Sequence, residues 1–227
     1  MISALCLPAF AAKNEVFIVG TLYKRHETVA VYDLQTLRRI ILSIKPDVIV
    51  LDVTPDELRL EKVHASKIEY PNVIFPLIKS ENYRAYAAEP AEPLFGEIVQ
   101  SVSRGFQIFE KENPDGSAAM KQYTASLFET LKLSWKTPAA VNGALTDKVL
   151  SGKAALRENF VAEYKNGQRR WNQHTTDAVL RAVKENPKKR VLVLLGIENC
   201  YWVRNALRNN SKINLIDMEN WLRAKRL

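Results

Sequence analysis

Two stretches of the sequence share one pattern: an apolar run typical of a buried strand, then a glycine, then polar side chains. The pattern occurs in FIVGTLYKRH, at Phe17–His26, and again in VLVLLGIENCYW, at Val191–Trp202. The polar side chains of interest after the two glycines are Tyr23, His26, Glu198 and Asn199. Their phenol, imidazole, carboxylate and amide groups can exchange protons or bind a ligand by hydrogen bonds, and imidazole also binds metals. The doubled pattern therefore predicts a site to which two strands contribute.

Two carboxylates follow further strand-like runs: Asp52 ends the second predicted strand and Glu89 ends the third. Ligands of open parallel sheets bind beyond the carboxyl ends of the strands, so we expect both carboxylates in the pocket with Tyr23 and Asn199. Carboxylates that lie close together repel each other unless a metal ion, an arginine or a lysine is present. Each residue alone is also consistent with a helix cap or a solvated surface.

The sequence offers two ways of compensating these carboxylates. Arg170, in the helical stretch RRWNQH, is the best candidate because a bidentate guanidinium suits paired carboxylates, and Asn172 lies beside it. The alternative is a divalent ion, since hard cations prefer oxygen ligands. An imidazole from His26 or His174 would extend the choice to manganese, cobalt or zinc.

The elements that must position these residues alternate between strand and helix in the first half of the chain. Apolar, β-branched runs predict strands at Glu15–Thr21, Asp47–Val53 and Arg84–Pro90, and helical spacing predicts helices at Val31–Pro46, after Thr54 and at Asn72–Tyr83. This alternation predicts an α/β fold with a mainly parallel central sheet and helices on both faces. The all-apolar runs Val16–Val19 and Val191–Leu195 are expected to be adjacent or near-adjacent central strands.

From about residue 94 to residue 187 the strand signal is absent, and helical periodicity predicts a helical insertion or subdomain. The strand–helix pattern then returns, with strands predicted at Arg190–Gly196 and Ile213–Met218 and a helix after each. No low-complexity linker interrupts the chain. Residues 13–227 are therefore predicted to form a single α/β domain that contains the helical insertion.

The charge of the chain limits the classes of partner. The 227 residues include 33 Lys and Arg against 25 Asp and Glu, a formal net charge of +8. The basic residues occur in short clusters rather than in one long run, which favours a solvated surface over a nucleic-acid footprint. The two cysteines lie far apart and have no zinc-binding spacing.

The N-terminal segment MISALCLPAFAA, residues 1–12, resembles the end of a secretory signal with a cleavage site after Ala11. A signal-peptide remnant would make the protein exported or periplasmic, and Leu5 and Leu7 would then lie outside the core. The alternative is an ordinary apolar segment packed on a cytoplasmic protein. No run of about eighteen apolar residues predicts a transmembrane helix.

The stretches VFIVGTLYKRH, KPDVIVLDVTPDEL and RVLVLLGIENCYWVRNAL, with a helical insertion between the last two, resemble the TraB/PrgY/GumN, TIKI and ChaN-like family. The resemblance implies an α/β core and a pair of Gly-x-x-His motifs that form a metal-dependent hydrolase centre. In this sequence Tyr23 and Asn199 occupy the two histidine positions, and Asp52 matches the acidic residue after the second strand. Arg170 and Asn172 loosely match an Arg-Asn helix of the family.

Three functions remain open from the sequence. The first is a degenerate member of the hydrolase fold, a pseudoenzyme that binds a small molecule or peptide in the former active-site pocket and needs no cofactor. The second is an active metal-dependent hydrolase or peptidase, with a carboxylate site rebuilt from Asp52, Glu89 and Glu198 and with His26 or His174 as a further ligand. The third is a basic protein that binds nucleic acid or anionic surfaces, whose affinity would fall steeply with salt.

Overall fold

The central element of the fold is a five-stranded sheet in which all neighbouring strands are parallel. A computed structural model describes residues 13–227; the predicted signal remnant, with Leu5 and Leu7, lies outside the described residues. The strands are β1 (Asn14–Thr21), β2 (Val48–Leu51), β3 (Arg84–Ala87), β4 (Arg190–Gly196) and β5 (Ile213–Leu215). Their order across the sheet is β3-β2-β4-β1-β5. The predicted parallel α/β fold is confirmed.

The strands that carry the doubled glycine pattern, β1 and β4, lie side by side in the middle of the sheet. Their register pairs Glu15 with Arg190 and continues to the pair of Thr21 with Gly196. Both strands are apolar along most of their length because the sheet is covered on both faces. The two polar segments that follow the strands therefore start next to each other.

The helices pack on both faces of this sheet. They are α1 (Leu34–Ile44), α2 (Pro55–Leu60), α3 (Phe75–Glu81), α4 (Leu94–Glu112), α5 (Pro114–Ser134), α6 (Pro138–Val141), α7 (Ala144–Phe160), α8 (Ala162–Glu185), α9 (Cys200–Leu207) and α10 (Met218–Lys225). Among residues 13–227, no helix combines the length and the apolar character needed to cross a membrane.

Alternate residues of each strand point to opposite faces and belong to two separate apolar clusters. In β1, Phe17 and Val19 pack in the cluster that contains residues of α1 and α10. Val16 and Ile18 pack in the other cluster, with residues of α8 and α9. Helices cover both faces, as the sequence predicts.

Local sequence signals explain where several helices begin. Thr54 caps α2 through a capping box, in which its hydroxyl accepts from the Glu57 amide and the Glu57 carboxylate accepts from the Thr54 amide. Asp33 caps α1 by accepting from the amide of Thr36. The helix predicted at Asn72–Tyr83 starts earlier, with a π-helical turn at Tyr70–Ile74 that leads directly into α3.

The helical insertion consists of α4 to α8, in which α4 packs along α8. Two glycines permit this close approach. A Cβ atom on Gly167 would lie 2.3 Å from Cγ2 of Val102, and one on Gly105 would lie 2.7 Å from Cβ of Glu163. The α4–α8 pair forms one side of a cavity at the carboxyl edge of the sheet.

Candidate functional site

A cavity of about 410 Å³, here called the main cavity, lies at the carboxyl edge of the sheet. Its polar part is formed by Tyr23, Asp52, Glu89 and Asn199, which follow β1, β2, β3 and β4 respectively. Parallel strands end on the same side of a sheet, which explains why residues far apart in sequence meet here. The structure thus brings together four of the residues selected from the sequence.

The remaining wall of the main cavity comes from the helical insertion. Helix α4 contributes apolar side chains, and α8 contributes Tyr164, Gly167, Gln168 and Trp171. The spacing of these α8 residues is i, i+3, i+4 and i+7, which defines one face of a helix. This spacing is the feature of the sequence that could have identified the pocket-lining side of α8. Arg170 and Asn172 do not lie on that side.

Asp52, which follows β2, connects the ends of β1 and β4 to β2 by hydrogen bonds. One of its oxygens, Oδ2, accepts a hydrogen bond from the hydroxyl of Tyr23 at 2.5 Å and another from the backbone amide of Gly196 at 2.9 Å. Asp52 itself is only 2% exposed. Burial, and then the charge of Asp52, raise the pKa of the Tyr23 hydroxyl well above its usual value, so this phenol is a donor at neutral pH.

The cation that compensates the carboxylates is Lys67, which the sequence analysis did not select. Its Nζ atom donates to Oε1 of Glu89 at 2.7 Å and to the backbone oxygen of Asp52 at 2.5 Å. The side chains of Lys67 and Glu89 are 10% and 7% exposed. Burial opposes the charge of Lys67, but Asp52 and Glu89 raise its pKa above the usual value. Lys67 precedes the π-helical turn in a polar stretch that carries no recognisable motif.

Glu89 and Asp52 line the same part of the main cavity. Burial is the main cause that raises the pKa of Glu89, and the charge of Asp52 and a side-chain hydrogen bond to it act in the same direction. Lys67 opposes the increase. A third acid, Glu69, is fully buried near this pair, and burial raises its pKa to about 7. The site therefore contains more carboxyl groups than cations and holds protons readily.

Arg170 does not compensate the acids, contrary to the sequence prediction. Its guanidinium pairs with Glu97 of α4 at 3.0 Å, and both side chains are about half exposed, at 46% and 57%. The physical reason is the helical phase of α8, which turns Arg170 away from the face that carries Gln168 and Trp171. Asn172 also lies outside the main cavity: it is buried, and its Oδ1 accepts from Nε2 of Gln168 at 3.2 Å.

His26 is a structural residue rather than a pocket ligand or base. It is 2% exposed and does not line the main cavity. Its Nε2 accepts from the amide of Leu22 at 3.0 Å, and its Nδ1 lies 2.6 Å from the backbone oxygen of Tyr32, to which it donates. Burial lowers the pKa of His26 to about 4 because the charged imidazole would lose its hydration.

A second compartment of about 220 Å³, here called the side compartment, adjoins the main cavity. The two share the lining residues Tyr23, Tyr164, Gln168 and Asn199. Glu198 belongs to the side compartment rather than the main cavity and forms an ion pair with the buried Lys153 of α7. Asn199 borders both spaces, and its Oδ1 accepts from Nε2 of Gln168 at 3.0 Å.

The donor set does not fit the metal centre that the family resemblance implies. Within residues 13–227, no group of three or more His, Cys, Asp or Glu side chains has an arrangement that could hold a metal ion. At the two expected histidine positions, the Tyr23 hydroxyl is engaged by Asp52 and the Asn199 carbonyl by Gln168. A neutral phenol and an amide are also poor ligands for zinc or cobalt compared with imidazole.

Comparison of the chain with family models, with curated proteins and with solved structures found no match.

Proposed function

We propose that the protein is a pseudoenzyme of the TraB/TIKI/ChaN-like hydrolase fold that binds an organic ligand in the main cavity. Tyr23 and Asn199 support this proposal, because each stands three residues after a glycine near the end of its strand, Gly20 in β1 and Gly196 in β4. Both residues line the cavity. They occupy the positions of the paired histidines of the family and offer hydrogen bonds instead of metal ligands.

The position of Lys67 is the observation that carries the proposal. Its ammonium group contacts Glu89 and the backbone of Asp52, where an active member of the fold would need carboxylates free to bind a cation. A positive charge in contact with the carboxyl groups would strongly repel a divalent ion bound to them in a buried site. The internal lysine thus supplies the charge compensation that a metal would provide in a hydrolase.

The lining of the main cavity suits an organic ligand. Apolar side chains of α4 and the Trp171 ring form its walls, and a few polar groups lie at the strand ends. Sites for small molecules are typically clefts of about 300–1,000 Å³ with mainly apolar walls and a small number of polar groups that fix orientation. The volume of about 410 Å³ lies within that range.

Binding in the main cavity can be tested with phenylnaphthylamine, a neutral fluorescent compound of suitable size. We expect saturable binding to the wild type and its loss in Ser103→Trp, because Ser103 is an exposed cavity-lining residue from which an indole can fill the space. Lys148→Met, an exposed substitution on α7, serves as the control and should bind normally. Equal binding by Ser103→Trp and the wild type would contradict the proposal.

The loss of the metal centre has its own test, a calorimetric titration with manganese, cobalt and zinc. The wild type should bind none of them tightly, and Tyr23→His combined with Asn199→His should gain measurable affinity. Adding Lys67→Met to the two histidines should increase this affinity further, because it removes the competing ammonium charge. Stoichiometric, tight metal binding by the wild type would overturn the pseudoenzyme proposal and favour the rebuilt hydrolase.

One observation favours a second candidate, a hydrolase in which the carboxyl pair acts by general acid–base catalysis. Glu89 faces the main cavity with a raised pKa, beside Asp52, and a protonated carboxyl next to a carboxylate is a recurrent acid–base arrangement. Hydrolysis of nitrophenyl esters by the wild type, abolished in Glu89→Gln and retained in Ser103→Ala, would support this candidate. We rank it second because Lys67 already binds the Glu89 carboxyl group.

A further inference from the structure

The side compartment carries an excess of positive charge. Two cations of α7, Lys153 and Arg157, line it, and Glu198 is the carboxylate that lines it. Arg25 lies close enough to lower the pKa of Lys153, after the larger effects of burial, Glu198 and Arg157. With two lining cations against one lining carboxylate, the wall of this compartment has a net positive charge at neutral pH. Glu158 lies near Tyr164 and Tyr201 but does not line the compartment.

Arg157 has an unused hydrogen-bonding group. Its Nε atom is buried and has no hydrogen-bond partner among the described residues. The guanidinium donates to the Thr124 hydroxyl at 3.3 Å and lies 5.9 Å and 5.8 Å from the ring centres of Phe106 and Tyr164. Within residues 13–227 it forms no ion pair with a carboxylate. A buried, unpaired N–H group is costly, so a ligand acceptor that reached this atom by a small shift of the Arg157 side chain would be favourable.

Lys153 is the second group that a ligand would meet. Its side chain is 3% exposed, and it lies 5.1 Å from the ring centre of Phe128 in addition to its ion pair with Glu198. An ammonium that has lost most of its hydration is only partly compensated by Glu198, whose own side chain is 38% exposed. A second anion in the compartment would improve this balance.

The main cavity, at the other end of the pocket, disfavours an anionic group. Asp52 and Glu89 line the main cavity and do not line the side compartment. Lys67 compensates only one of these two carboxyls, so an acidic group would still be repelled at this end and attracted by Arg157 and Lys153. The charge distribution therefore gives a ligand one preferred orientation, with its uncharged part against the apolar walls of α4 and α8.

We infer that the natural ligand is an organic anion, whose apolar body fills the main cavity and whose carboxylate, sulfonate or phosphate group lies in the side compartment against Arg157 and Lys153. This inference rests on the proposed ligand-binding function and specifies its ligand class. The four residues shared by the two spaces allow one molecule to occupy both.

The test compares two fluorescent compounds with the same ring skeleton: anilinonaphthalene sulfonate, which is an anion, and phenylnaphthylamine, which lacks the sulfonate. We expect the wild type to bind the anion more tightly. Arg157→Met, which keeps much of the apolar stem, should weaken anion binding at least about tenfold, as expected for a charge-assisted hydrogen bond, and leave the neutral compound unchanged. Lys148→Met removes an exposed cation from the same helix and should change neither affinity.

The outcomes separate this inference from the proposed function. If phenylnaphthylamine binds, Ser103→Trp blocks it, and Arg157→Met leaves anion binding unchanged, the pocket is a binding site but the anion inference is wrong. If Ser103→Trp blocks neither compound, both proposals fail, because the probes then bind elsewhere. An equal loss of anion affinity in Arg157→Met and Lys148→Met would show that the net charge of the protein, rather than Arg157 itself, determines anion binding. That result would also overturn the inference.

Discussion

The hydroxyl of Tyr23 donates a 2.5 Å hydrogen bond to Oδ2 of Asp52, the same atom that accepts from the amide of Gly196. This arrangement ties the ends of β1, β2 and β4 together at the base of the main cavity. Tyr23 has a φ angle of 54°, in the left-handed region that bulky residues rarely adopt. Such backbone strain persists only where the surrounding contacts stabilise it, and it is concentrated at functional sites.

Gly196 is expected to be essential for this arrangement. A Cβ atom on Gly196 would lie 2.2 Å from Oη and 2.7 Å from Cζ of Tyr23. Gly196→Ala should therefore lower the free energy of unfolding by about 1–3 kcal/mol, the usual cost of overpacking. Urea unfolding measures the loss. In a Tyr23→Ala background the same glycine substitution should cost much less, because the clashing ring is absent.

The control for this prediction is Gly152, where no atom lies within 4 Å of an added Cβ. Gly152→Ala lies inside α7 and should stabilise the protein by up to about 1 kcal/mol through helix propensity. Equal effects at Gly152 and Gly196 would show that the close approach of the Tyr23 ring has no energetic importance.

Lys67 is predicted to stabilise the folded protein by compensating the charge of the buried Glu89 carboxylate. Lys67→Met leaves Glu89 without its cation in a buried position and should reduce the free energy of unfolding by about 3–5 kcal/mol in alkaline buffer, where the Glu89 carboxyl group is ionised. The loss should be larger in alkaline than in mildly acidic buffer, because Glu89 can take up a proton when Lys67 is absent.

Two further variants test whether this loss comes from the buried pair. Lys67→Met with Glu89→Gln should lose much less than the sum of the single changes, since no unpaired charge remains. Lys79→Met removes a surface lysine whose ion pair with Glu61 is well exposed, at 66% and 41%, and should cost at most about 1 kcal/mol. Similar losses for Lys67→Met and Lys79→Met would contradict the prediction.

The sequence predicted the sheet better than it predicted the site. Strand β4 has the bounds predicted for it, Arg190–Gly196, because the apolar run Val191–Leu195 between them is buried on both faces. Tyr23 and Asp52 could be selected because they directly follow such strands. Lys67 could not, since it reaches the site from a loop whose position depends on tertiary packing. Arg170 was selected for its chemistry, although the helical phase of α8 places it on the wrong side.

Glu69 is predicted to make the protein less stable as the pH increases. Burial raises the pKa of Glu69 from the ordinary 4.5 to about 7, so the folded protein binds a proton that the unfolded chain has released. The stability that this proton provides is complete below pH 4.5 and is lost as the pH rises through about 7. Glu69→Gln should therefore gain about 1–3 kcal/mol relative to the wild type in neutral buffer and little in acid.

Urea midpoints measured across this pH range test the prediction for Glu69. The exposed Glu81 provides the control, since Glu81→Gln should leave the pH profile of the wild type unchanged. A constant difference between Glu69→Gln and the wild type at every pH would show that Glu69 does not change its protonation on unfolding.

His26 is predicted to act in the opposite direction over an overlapping range of pH. Burial lowers its pKa from 6.5 to about 4, so the unfolded chain takes up a proton that the folded protein does not bind. The stability contributed by neutral His26 is present above pH 6.5 and is lost as the pH falls towards 4. Glu69 and His26 change the stability in opposite directions as the pH falls, so their effects partly cancel in the wild type, and only variants separate them.

The variant Glu69→Gln should lose stability as the pH falls, because only the His26 effect remains. The variant His26→Gln, although less stable overall, should lack about 1–3 kcal/mol of that acid sensitivity. His64→Gln, at an exposed position, is the control; a steep acid loss retained in His26→Gln would assign the effect to other groups.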